Sequence, residues 1–88
     1  HITEHDGRLY LTLGNWNGTR TGKVVCFDTG EIVLEDLHFP HDGFVHEGDF
    51  YISATGNSEV LIYRDVGDMN LRGREPDAIL PVKMRLPV

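Results

Sequence analysis

The side chains able to do chemistry in this sequence are few and widely spaced. His41 stands beside Asp42, and an imidazole next to a carboxylate can bind a divalent metal or move a proton. Trp16 lies between Asn15 and Asn17, in a stretch rich in glycine and threonine. An indole framed by amides and hydroxyls can stack on a sugar or another small ligand. Asn57 sits in a second glycine-containing turn. The single cysteine, Cys26, lies within the apolar run Val24-Val25-Cys26-Phe27 and is expected to pack as an inert buried thiol. No Ser/His/Asp set, P-loop, Cys-x-x-Cys or His-Glu-x-x-His pattern occurs, and no ligand spacing is close enough to define a metal site within a short segment. Any site must therefore be assembled by the fold.

The elements that would do so are strands. Ten glycines and four prolines interrupt short apolar stretches, and no period of 3.6 persists. Strands are expected at His1–Glu4, Arg8–Leu13, Lys23–Asp28, Glu31–Leu37, Gly43–His46, Asp49–Ala54, Glu59–Arg64 and Ala78–Met84. Asp6-Gly7 and Glu47-Gly48 are hairpin signals, because tight turns need positive φ. Lys23–Phe27 and Val60–Tyr63 are apolar without alternation. Such strands need cover on both faces, which stacked sheets supply and a single wet-faced sheet does not.

The strands recur. His5-Asp6-Gly7-Arg8-Leu9-Tyr10-Leu11-Thr12 matches His46-Glu47-Gly48-Asp49-Phe50-Tyr51-Ile52-Ser53, 41 positions on. Lys23–Phe27 matches Glu59–Tyr63 at 36, and Leu37–Pro40 matches Met84–Pro87 at 47. The second copy carries extra residues between Val66 and Pro76, of mixed charge and no periodicity, which read as a solvated loop. If Val88 ran into His1, His5 would follow Pro87 as His46 follows Pro40, so the chain fits a unit cut from a tandem array.

Each copy holds four strands in a length typical of a propeller blade. Pro40-His41, the run His5–Leu11 and Phe27-Asp28-Thr29-Gly30 carry a pattern that resembles the six-bladed propellers of the NHL-repeat and gluconolactonase-like superfamily. The second copy departs from it, with Arg64 where the strand should end in Asp and Val88 where Pro-His is expected. The fold expected is all-β: two four-stranded antiparallel blades per chain, about 1–40 and about 41–88, closing a six-bladed β-propeller as a homotrimer. An eight-bladed tetramer is the alternative.

In that geometry Asn15, Trp16, Asn17, Asn57 and Asp42 collect at the channel mouth as a ligand-binding set. One His41 per chain surrounds the axis, where converging imidazoles could hold Zn²⁺. The expected function is a self-assembling scaffold with a small-ligand or protein-binding face at the channel mouth, its ligand a small molecule or peptide. A metal-assisted hydrolase or lyase on the axis is the alternative, and the sequence leans away from it because identical copies supply no asymmetric set of acid, base and nucleophile. The partner is the chain itself. A net charge of −6 disfavours nucleic acid and anionic membranes, and no apolar run approaches a membrane span. One cysteine and no visible targeting signal fit a cytoplasmic origin.

Overall fold

A computed structural model describes residues 1–14, 22–54 and 58–82. The described chain is all-β and forms two four-stranded antiparallel sheets, each a meander in sequence order. The first holds β1 (Ile2–His5), β2 (Arg8–Leu13), β3 (Gly22–Cys26) and β4 (Ile32–Leu37). The second holds β5 (Pro40–His46), β6 (Asp49–Ala54), β7 (Glu59–Tyr63) and β8 (Ala78–Pro81). All eight expected strands are present; Arg8–Leu13 and Asp49–Ala54 coincide with expectation and the others differ by one to three residues at an end, the last stopping at Pro81 with Lys83 and Met84 outside the described residues.

Turn chemistry sets the hairpins. Asp6 and Gly7 have φ of 50° and 77°, and Glu47 and Gly48 have 49° and 82°. Two successive positive φ values give the primed turn whose twist suits flanking strands, and they fix the register His5↔Arg8 and His46↔Asp49. At the next hairpin Asp28 caps the end of β3, its Oδ2 accepting from the Leu9 amide at 2.9 Å. Arg64 holds the matching position in the second sheet and cannot accept. There Asp77 takes the Arg64 amide at 2.7 Å, and Asp49 takes the Asp65 amide at 2.9 Å.

Register sorts the side chains onto faces. In the first sheet Tyr10 pairs with Cys26, Thr12 with Val24 and Val24 with Leu34, and all five residues are buried. In the second, Val45 pairs with Phe50 and Phe50 with Tyr63, while Ile52 pairs with Leu61. These two faces meet in one core, with β5 lying against β1 and β2. The opposite faces stay open. The first presents Ile2, Leu9, Leu11, Leu13 and Val25, with Ile2 61% and Leu13 43% exposed. The second presents Phe44 and Leu80, about half exposed, with Tyr51 and Val60. The Phe44 and Tyr51 rings stack there at 5.1 Å.

The segment between β7 and β8 corrects the expectation of a solvated loop. Val66, Met69 and Leu71 are buried in the core, while Asn70 and Arg72 between and beside them face solvent. The segment is anchored by the Val66 amide donating to the Gly48 carbonyl at 2.9 Å and by His5 Nε2 donating to the Gly67 carbonyl at 2.8 Å. Its charged residues hid three apolar ones whose spacing follows neither helix nor strand.

Candidate functional site

The last residues of β2, β4 and β6 and the first of β3, β5 and β7 lie at one end of the strands. Of the residues expected to bind ligand there, Asn15, Trp16, Asn17 and Asn57 lie outside the described residues; Asp42 and His41 lie within β5. The pairing of β5 with β6 slips between Pro40↔Ala54 and Gly43↔Ile52, so three steps on β5 oppose two on β6. A bulge of this kind re-aims side chains, and here the extra residue falls at His41 and Asp42. The bulge is held from β6: the Asp42 amide donates to Ser53 Oγ at 3.1 Å, and the Ser53 hydroxyl donates to the Asp42 carbonyl at 3.4 Å.

Asp42 bridges two imidazoles. Its Oδ1 lies 3.1 Å from His1 Nδ1 and its Oδ2 lies 3.0 Å from His41 Nδ1. Sequence spacing placed His41 beside Asp42; bringing His1 to the same carboxylate took the approach of β1 to β5. A carboxylate engaging Nδ1 of a histidine fixes the ring and leaves Nε2 to face a ligand or solvent. All three side chains are 40% or more exposed, so the pairs add little stability. Among the described residues no group of three or more His, Cys, Asp or Glu side chains is arranged to hold a metal ion. An axial site built from one His41 per chain requires further copies.

Close approach of the sheets explains Gly43. A Cβ at this position would stand 2.8 Å from Phe50 Cζ and 3.3 Å from Thr12 Oγ1. Thr3 Oγ1 also donates to the Gly43 carbonyl, joining β1 to β5 across the sheet interface.

The other histidines divide by position. His5 is mostly buried at its hydrogen bond to Gly67, whereas His46, its sequence match, is 65% exposed beside Glu47. Cys26 is buried, and the hydroxyl of Thr29 holds its thiol below the ordinary value by hydrogen bonding, against the opposing effect of burial. Burial is the first cause that raises the phenols of Tyr10 and Tyr63.

Sequence reasoning missed a crevice between β4 and β7, with a volume of about 420 Å³. Its walls come from both sheets and from the segment after β7, so no local motif announces it. Comparison with protein-family models, curated proteins and solved structures finds no match to this chain.

Proposed function

We propose that the chain is a self-assembling propeller unit, a scaffold whose copies join head to tail into a ring of six blades. One observation carries this reading. The open residues of the first sheet, Leu9, Leu11, Leu13 and Val25, are the sequence matches of Phe50, Ile52, Ala54 and Leu61, which are the core-facing residues of the second. Conversely, core-facing Tyr10, Thr12, Val24 and Cys26 match Tyr51, Ser53, Val60 and Ile62 on the second sheet's outward side. The two sheets are thus joined through unlike faces. Unlike-face packing is heterologous: it leaves one of each face outward, ready for the same contact with another copy. A two-fold sandwich would have joined like faces and consumed the pair.

The exposed apolar residues supply the drive for association. Three chains of two blades make the six-bladed ring of the superfamily that the motifs resemble, and four make the eight-bladed alternative. Native mass spectrometry tests the reading: the trimer is expected, a tetramer would revise the blade number, and a stable monomer would remove the proposal. Leu11→Lys, placed on the first sheet's open face, should weaken assembly and, because folding is linked to it, lower the stability of the chain at a given concentration.

The same reading places a ligand face at the end of the strands that carries Asp42. Titration of monosaccharides and short peptides, followed by Trp16 fluorescence, is expected to show saturable change. Its absence across such a panel would leave a scaffold alone. The bridging of His1 and His41 by Asp42 favours a second reading, a metal-assisted hydrolase or lyase on the ring axis, since Nε2 of each ring is left for a ligand. Elemental analysis separates them: about one zinc per ring supports the second, and metal-free rings the first.

A further inference from the structure

Within the chain, β5 of the second sheet lies against β1 and β2 of the first. Gly43 marks a close approach: Thr3 Oγ1 donates to its carbonyl, and a Cβ placed on it would stand 3.3 Å from Thr12 Oγ1. His1 reaches Asp42 beside it, Nδ1 to Oδ1 at 3.1 Å. The offset of 41 positions that matches β2 to β6 also matches Ile2 to Gly43, Thr3 to Phe44, Thr12 to Ser53 and His1 to Asp42. Strand register agrees, since Ile2 pairs with Leu11 as Gly43 does with Ile52, and Thr3 with Tyr10 as Phe44 does with Tyr51. The internal contact is therefore a template for a contact between copies. Phe44 and Ser53, on the second sheet's outward face, stand where Thr3 and Thr12 stand, and outward-facing Ile2 stands where Gly43 stands.

A second observation concerns volume. Gly43 lacks a side chain where the Phe50 ring of its own sheet already fills the space, 2.8 Å from where a Cβ would be. In the first sheet the match of Phe50 is the smaller Leu9, and Ile2 restores the bulk. Gly43 with Phe50 is thus exchanged for Ile2 with Leu9 at similar total volume, the kind of exchange that packed contacts tolerate best. In the single chain Ile2 is 61% exposed and Phe44 52%, and the Phe44 and Tyr51 rings stack into a flat apolar surface. One part of the internal contact is not repeated. Val66, Met69 and Leu71, which fill the core within the chain, belong to the extra residues of the second copy. A contact between copies lacks that plug and is the weaker of the two joints.

We propose that each copy in the ring seats its Ile2 against Phe44 and Ser53 of the preceding copy and brings its His1 to that copy's Asp42. The joint rests on the ring reading and gives it a register. Burial of the isoleucine and of the stacked rings drives the contact. The same step completes the mouth. His1 and Asp42 then alternate around the axis, and each Asp42 meets the His1 imidazole of its own chain and that of the next.

Oxidative cross-linking of the full chain tests the register, with native mass spectrometry of the parent giving the assembly state. Ile2 and Phe44 lie on opposite outward faces of one chain, so they can meet only between copies. Ile2→Cys and Phe44→Cys chains, mixed and oxidised, are expected to give a covalent dimer. Either variant alone, and the parent with its buried Cys26, should give none. One chain carrying both substitutions should give a ladder that ends at the mass of the ring. Because each cysteine removes apolar surface, charge rescue is read alongside. Ile2→Lys and Phe44→Glu should each weaken assembly about tenfold, and the chain carrying both should recover most of that loss. Self-linking of either single variant, no link in the mixture when the parent is a trimer or tetramer, or no rescue would overturn the register alone. A monomeric parent would remove the ring, and the joint with it.

Discussion

Truncating Leu71 to alanine tests whether the segment after β7 belongs to the core. Leu71 is fully buried, at 0% exposure, in the same cluster as Phe50, Tyr63 and Val24. Deleting a buried leucine side chain costs about 2–5 kcal/mol, the larger values applying where the surroundings cannot collapse. Strands of both sheets enclose this one, which favours the upper half of that range. An 88-residue chain has roughly 4–13 kcal/mol of total stability at about 0.05–0.15 kcal/mol per residue. The substitution thus removes a large fraction of it. With a urea m value of roughly 1.5 kcal/mol/M, a loss of about 4 kcal/mol lowers the midpoint by about 2.7 M. The assay is urea denaturation followed by circular dichroism, at one fixed protein concentration because assembly and folding are linked. Arg72→Ala, one residue on and exposed, is the control and should stay within about 0.5 kcal/mol. Equal midpoints for Leu71→Ala and Arg72→Ala would refute the packing argument.

Gly43→Val should destabilise by roughly 1–3 kcal/mol through overpacking, since its Cβ meets the buried Phe50 ring at 2.8 Å; a thermal midpoint equal to that of the parent would show that the sheets separate freely. Asp77 has its carboxyl held below the ordinary value of 3.8, first by the Arg64 amide and then by Arg74. A depressed folded value means that the stabilisation is fully present above the unfolded value and is lost as pH falls through the folded one. Asp77→Asn should therefore differ from the parent at neutral pH and converge with it as pH falls through the lowered folded value in pH-dependent denaturation. Cys26 should react with a bulky disulfide reagent far more slowly than the unfolded chain, because access limits it even though Thr29 favours its thiolate; labelling at the unfolded rate would contradict its burial.

Much of the strand plan was legible because its signals are local. Asp6-Gly7 and Glu47-Gly48 demand positive φ, and positive φ at both central positions dictates tight hairpins and their register. The non-alternating runs around Val24 and Val60 form inner strands of their sheets, but within this chain each sheet is covered on one face only, and the expected cover of the second face would have to come from outside it. Matching residues four strands apart could also be read directly, since a recurring pattern needs no coordinates. Contacts between distant strands were not legible. The slip at His41 and Asp42 depends on how β5 registers against β6, and the approach of His1 to Asp42 depends on β1 lying against β5. The burial of Met69 and Leu71 was hidden by charged neighbours, because composition reports the average of a segment while burial is decided residue by residue. The crevice is walled by β4, β7 and residues 73–76, elements that only the packing of the two sheets brings together. Local sequence determined which residues become strands and turns; only tertiary packing decided which faces are covered, which stay open, and where a cavity remains between them.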